Sequence, residues 1–246
     1  MHLFYHPDAG FSSSFTFNKE ESGHIAKVLR LKPGDTIHLT NGLGYFYPAE
    51  IIEANPNKVR INILEEHHQP RRDFFVHIAL APTKNIKRTE WFVEKAVEIG
   101  IEKISFFHSR HSERNIIKPE RIKKVAIAAM KQSQKAYLPE ISDMLNIQDI
   151  LSNAGESHKW IAHCNNNLKR TQIHTASSAE SHLILIGPEG GFHINEIEKA
   201  EKHKFNSIEL SPYRLRTETA ALTACQWLNI HYFKKCNSDI ANQNNG

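Results

Sequence analysis

Hydrophobic and polar positions follow two different rhythms along the chain. Thr36 to Thr40, Tyr45 to Glu53 and Lys58 to Leu64 alternate with a period of two, the pattern of half-buried strands. Turn signals at Lys32-Pro33-Gly34-Asp35 and Asn41-Gly42 separate them. Glu20 to Leu31 instead spaces Ile25, Val28 and Leu29 as a helix would. These elements predict a small β-barrel with one helix over residues 1–68. Eight polar residues, Glu65 to Arg72, then break the rhythm and read as a linker.

Beyond the linker, apolar strands alternate with helices, which predicts a parallel α/β sheet over 73–236. The strands are Phe74 to Ala81, Ile101 to Phe107, Trp160 to His163, Leu183 to Ile186 and Ser207 to Leu210. Helices are expected over Lys87 to Ile99, over Pro119 to Ala136 with proline in its tolerated first turn, and over Thr217 to Phe233. In the last of these Ala220, Ala221, Ala224 and Leu228 share a face, and a polar tail is expected after it. No repeat of fixed period is visible.

Length and composition fit this division. A chain of 246 residues, 40% hydrophobic and 24% charged, can bury two cores and is not broadly disordered. No apolar run approaches the roughly 18 residues of a membrane span, and the N-terminus lacks a signal pattern, so a cytoplasmic protein without a membrane partner is expected. Cys164, Cys225 and Cys236 have no C-x-x-C spacing and imply neither a disulfide framework nor a zinc site. His67-His68 and His108-x-x-His111 lack the helical i, i+4 pairing with a carboxylate, so no metal is expected. The net charge of +4 is unevenly spread: Lys84 to Lys135 holds 13 Lys/Arg against 6 Asp/Glu, an excess of 13 − 6 = +7. Such a segment suits a polyanion, although a solvated helix face gives the same pattern.

Two stretches carry candidate chemistry. Leu183 to Ala200 (LILIGPEGGFHINEIEKA) joins a strand to a helix through Gly187-Pro188-Glu189-Gly190-Gly191. It lacks the G-x-G-x-x-G fingerprint and the Lys-Ser/Thr of a P-loop, and Pro188 removes one N–H from any phosphate cradle. Glu189 would repel a polyphosphate but suits a ligand with positive charge, such as S-adenosylmethionine. A purely structural turn, with Glu189 at the positive end of a helix, remains the alternative. The second stretch, Leu210 to Ala220 (LSPYRLRTETA), gathers Arg214, Arg216 and Glu218 at another strand-to-helix junction, where α/β folds bind ligands. Thr217 is the expected cap of the final helix, and Glu218 by itself could be only a favourable helix N-terminal carboxylate.

GPEGGF followed by LRTETA resembles the bacterial 16S ribosomal RNA (uridine-N3) methyltransferase family, of the SPOUT class. The likeness extends to His24-Ile-Ala-Lys-Val-Leu-Arg-Leu31, Glu94-Lys-Ala-Val-Glu-Ile-Gly100 and Lys131-Gln-Ser-Gln-Lys135. It implies a PUA-like β-barrel followed by a SPOUT α/β domain with a C-terminal trefoil knot. It also implies a homodimer and S-adenosyl-L-methionine held by Leu185, Ile186, Gly187, Pro188, Glu189, Gly190, Gly191, Leu210, Leu215 and Thr219. The loop after Ile161 and before Asn166 would form a third wall. Arg216 would favour the uracil anion, and Glu218 would orient Arg216 or take the proton. Arg30, Arg71, Arg72, Lys84, Arg88, Lys135 and Arg214 are the expected contacts to 16S ribosomal RNA in the small subunit.

The chain departs from the family pattern at several positions. Ser211 replaces a glycine, Tyr213 an arginine, and Arg214 comes one position later. Lys131 and Lys135 stand where glutamate and arginine are usual, and His193 stands where a capping serine is common, which leaves Asn195 with Glu198 as the expected capping pair. Two rivals predict different behaviour. A non-catalytic RNA-binding protein would not bind S-adenosylmethionine, and a SPOUT ribose 2'-O-methyltransferase would fit the knot but not this motif pairing. A nucleotide-dependent oxidoreductase is weakened by the missing fingerprint.

Overall fold

Short alternating segments at the start of the chain pair into one sheet. The computed structural model describes residues 2–172 and 181–243, with side chains up to residue 233. Strands β1 (Leu3–Tyr5), β2 (Ser14–Thr16), β3 (Thr36–Thr40), β4 (Tyr45–Asn55) and β5 (Lys58–Ile63) run in the order β1-β3-β4-β5-β2, and β6 (His67–His68) pairs with β4. The polar stretch expected to be only a linker therefore contains a strand: His67 and His68 face Phe46 and Tyr45. The early helix is α1 (Lys19–Gly23), which loosens into a π-turn at His24–Val28. Phe4, Ile25, Ile37, Leu39, Ile51 and Ile61 form the core of this part, all 2% exposed or less.

The chain divides into two compact units, Met1–Arg71 with Ile127–Leu138, and Arg72–Ala126 with Pro139–Gly246. The second holds a parallel sheet built from β7 (Phe75–Leu80), β8 (Lys103–His108), β9 (Glu140–Asn146), β10 (His158–Ala162), β11 (Thr171–Gln172), β12 (Ser181–Ile186) and β13 (Asn206–Glu209), ordered β11-β13-β10-β12-β7-β8-β9. Its central strands are buried on both faces, which is why they read as continuous apolar runs. The helices are α2 (Ile86–Ile99), α3 (Pro119–Gln132), α4 (Ile147–Asn153), α5 (Ile194–Lys202) and α6 (Thr217–Gln243). The expected tail after Phe233 is instead a continuation of α6, and α3 ends at Gln132, short of Ala136. Cys236 lies outside the residues whose side chains are described.

Two polar networks anchor the second unit. Arg72 grips both carboxylate oxygens of Glu102 at 2.7 and 2.8 Å and donates to the Asn229 side chain on α6. At the amino-terminal end of the sheet, buried His77 bridges Ser105 Oγ at 2.8 Å and Glu156 at 2.5 Å. Burial alone would push the Glu156 carboxyl up, but the hydrogen bond and charge of His77 outweigh it and hold it below its usual value.

Candidate functional site

Strands β13, β10 and β12 lie side by side, and the loops leaving their carboxyl ends enclose a cavity of about 350 Å³. The first wall follows β12. Pro188 to Gly191 makes a turn closed by the Gly191 N–H donating to the Pro188 carbonyl at 2.8 Å. Gly191 has φ +71°, in the left-handed region that favours glycine, and a Cβ on Gly187 would lie 3.0 Å from the Phe192 ring. The helix after this loop is capped by His193, not by Asn195 with Glu198: its Nδ1 accepts the Asn195 N–H at 3.2 Å, and Glu196 accepts the His193 N–H at 2.8 Å. The imidazole nitrogen thus does the work of a capping hydroxyl.

The second wall is the loop from Leu210 to Arg216. Ser211 Oγ accepts the Tyr213 N–H at 3.1 Å, a side-chain turn that accommodates the lost glycine. The Arg216 carbonyl accepts the Ala220 N–H at 2.8 Å and so begins α6. Thr217 does not cap that helix as expected; its hydroxyl donates to the Gly187 carbonyl at 3.1 Å and ties the second wall to the first.

Ala162, His163 and Cys164 form the third wall, within the loop the resemblance indicated. His163 is buried, and burial, reinforced by the Arg170 charge, holds its pKa below the ordinary histidine value. Arg170 donates to the His163 carbonyl at 3.0 Å and pairs with Glu209 at 3.3 Å, joining this wall to the end of β13. Nothing in the local sequence singled out Arg170, because its partners are set by strand order.

Most residues expected to hold the ligand meet here: Ile186, Gly187, Pro188, Glu189, Gly191, Leu210 and Leu215 line the cavity, with Arg214 and Arg216. Leu185, Gly190 and Thr219 do not. Leu185 is fully buried in the core, Gly190 abuts His111, and Thr219 is exposed on α6 and is not part of the lining. Glu189 turns one oxygen to the Lys84 N–H at 3.0 Å, while its Oε2 is buried without a partner among the described residues. Arg114 steadies that contact by donating to the Thr83 and Lys84 carbonyls at 3.0 and 2.7 Å. Glu218 is 7% exposed and pairs with Arg88, not with Arg216, at 3.6 Å; its Oε2 also lacks a hydrogen-bond partner among the described residues.

The expected RNA contacts divide between the two units. In the first, Arg30 is exposed with φ +57°, the Arg71 guanidinium sits 4.7 Å from the Tyr137 ring centroid, and Lys135 is partly buried. In the second, Arg214 is exposed at the cavity, and Lys84 reaches Glu113 at 2.7 Å, a hydrogen bond that raises its pKa. Arg72 was expected to reach RNA, but its guanidinium is engaged by Glu102 and Asn229 and serves the fold. Among the described residues no group of His, Cys, Asp or Glu could hold a metal ion, and no helix is long and apolar enough to cross a membrane.

Fold and site together define an α/β protein with a small-molecule cavity where adjacent parallel strands end. Residues 70–229 match the family described as RNA methyltransferase domain, and residues 17–64 match the RNA methyltransferase PUA domain. The chain belongs to this RNA methyltransferase family. It is 30% identical over 226 residues to a "Ribosomal RNA small subunit methyltransferase E" of Mesomycoplasma hyopneumoniae, covering 86% of this chain and 97% of that one. A probable rRNA-methyltransferase from Porphyromonas gingivalis has a similar crystal structure, with 38% identity, a TM-score of 0.89, and 96% and 100% of the two chains covered. A putative methyltransferase from Legionella pneumophila, solved with bound S-adenosylmethionine, is 26% identical with a TM-score of 0.84, covering 94% and 97%.

Proposed function

We propose that this protein methylates N3 of a uridine in 16S ribosomal RNA, with S-adenosylmethionine as the methyl donor. The observation that carries the proposal is the cavity itself: both motif loops and the loop after β10 converge on one space large enough for a small molecule. Its lining fits this donor. Ile186, Phe192, Ile208 and Leu215 offer an apolar surface to a ring, the arginines suit a carboxylate, and the unpaired Glu189 oxygen suits a cation. Bound there, S-adenosylmethionine supplies a sulfonium methyl group.

The chain's own residues supply the rest. The arginine at 216 stabilises negative charge on the uracil oxygens, which favours loss of the N3 proton. Glu218 accepts that proton. The walls, tied together through Thr217 and Arg170, would orient a bound donor toward the uridine, and orientation supplies much of the rate in a displacement. The uridine must leave its stack, at a cost of a few kcal/mol. Phosphate contacts from Arg30, Arg71, Lys84, Lys135 and Arg214 would offset this cost.

In the same reading residues 1–68 form a PUA-like barrel for RNA and residues 73–236 the SPOUT domain. A C-terminal trefoil knot belongs to the same reading, placed where β13 lies beside β10 and α6 packs over β7 and β12. A homodimer is supported by large apolar side chains left exposed on α2 and α6, Trp91, Trp227, Ile230 and Phe233. The substrate is the small ribosomal subunit, in the cytoplasm.

The test is methyl transfer from radiolabelled S-adenosylmethionine to small subunits from a strain lacking the activity, with nucleosides identified by mass spectrometry. Label in N3-methyluridine, lost in Arg216→Ala, is the expected result. Label in a 2'-O-methylated nucleoside, or no label, would overturn the proposal.

A further inference from the structure

The ion pair between Arg88 and Glu218 joins residues 130 positions apart (218 − 88 = 130). Glu218 follows two residues that line the cavity, Arg216 and Thr217, and its side chain is 9% exposed. A carboxylate so deeply placed is costly unless a cation faces it. The Arg88 side chain is that cation, with Nε 3.6 Å from Glu218 Oε1.

Several hydrogen bonds hold the backbone under Arg88. Asn85 caps α2 by accepting the Lys87 N–H at 3.1 Å, and its carbonyl accepts the Arg88 N–H at 3.0 Å. Buried Thr83 and Thr89 lock the approach: the Thr83 N–H donates to the Thr89 hydroxyl at 3.1 Å, and the Thr83 hydroxyl donates to the Asn85 carbonyl at 2.7 Å. A rigid base, a short stretch of helix and a buried partner are what positioning of a catalytic group requires. Arg88 faces a carboxylate that is 9% exposed, whereas Glu113, the partner of Lys84, is 51% exposed and leaves that lysine open to solvent.

We propose that Arg88 is a positioning residue for methyl transfer, holding the Glu218 carboxylate fixed in direction, and that it does not grip the RNA backbone. The proposal rests on the methyltransferase reading above. It deepens that reading by assigning the proton-accepting carboxylate a fixed cationic partner.

Two measurements on Arg88→Met, Arg88→Lys, Glu218→Gln and the Arg88→Met/Glu218→Gln double variant test it. The first is RNA affinity as a function of salt, which needs no bound methyl donor. A phosphate contact would lower the slope of log K against log salt by about one unit on mutation, whereas positioning leaves the slope unchanged. The second is the methyl-transfer rate at saturating RNA and S-adenosylmethionine. Arg88→Met is expected to lower it by about tenfold to a hundredfold with RNA KM unchanged, Arg88→Lys to recover part of the loss, and the double variant to be no slower than Glu218→Gln.

A slope reduced by one unit with a normal saturating rate would overturn the proposal, as would additive effects in the double variant. A lowered melting temperature without a change in rate would make the pair merely structural and also overturn it. If the wild-type protein transfers no methyl group at all, the methyltransferase reading fails and the proposal with it. With an active wild type only the proposal is at stake.

Discussion

The hydrogen bond from the Thr217 hydroxyl to the Gly187 carbonyl links the two motif loops, so Thr217→Val probes their coupling. Valine keeps the shape of the side chain at a position 5% exposed, so no cavity opens and only the hydroxyl is lost. A neutral bond of 3.1 Å contributes about 1 kcal/mol net, and the partly exposed Gly187 can recover some hydration when the donor disappears. About 1 kcal/mol corresponds to a melting temperature lower by roughly 2–4 °C. A ligand that touches both loops must restore their alignment, so its Kd should rise about fivefold, the same free energy read through binding. Calorimetric titration with S-adenosylmethionine, paired with thermal unfolding, measures both quantities. A melting temperature that falls while Kd stays within twofold of the wild type would refute the coupling and leave Thr217 a purely structural contact.

Two further substitutions probe separate parts of the second unit. Gly191→Ala meets no neighbouring atom but must adopt φ +71°, so backbone strain of about 1 kcal/mol should weaken S-adenosylmethionine binding several-fold; an unchanged Kd in the same titration would contradict this. Glu156→Gln breaks the pair with His77 and should cost about 2 kcal/mol by denaturant unfolding at neutral pH, less than the roughly 3–5 kcal/mol of a fully buried pair because Glu156 is partly accessible. Since the folded-state pKa of Glu156 is depressed, its contribution is complete above the ordinary carboxyl value of 4.5 and is lost as pH falls through the lower folded value. The difference between the variant and the wild type should therefore shrink below that pH, and a difference that grows on acidification would contradict the assignment.

The central strands and their helices were legible because strands buried on both faces leave continuous apolar runs, as Phe75–Leu80 and Ser181–Ile186 do. Both motif loops were legible because glycine and clustered polar residues mark strand ends. Edge elements were not. Strand β9 alternates poorly between buried and exposed positions, and β11 is two residues long, ordered by its register with β13. No local pattern signals that Ile127–Leu138 groups with the first unit, since that depends on contacts far along the chain, such as the Gly44 N–H to the Ala136 carbonyl at 2.9 Å and the Tyr137 hydroxyl to the Gln69 carbonyl at 2.8 Å. The same holds in the site. Glycines and apolar residues of the cavity wall could be placed from motifs, whereas the partners of Glu218, Glu189 and Arg170 arise from strand order and have no sequence periodicity.

Where S-adenosylmethionine binds tests the central claim most directly. A crystal structure of the protein with this molecule should show it between Gly187–Gly191 and Leu210–Arg216, against the third wall at His163, with its amino group toward Glu189. Electron density for the ligand elsewhere, or an empty cavity at ligand concentrations that support methyl transfer, would contradict the claim that these three loops form the methyl-donor site.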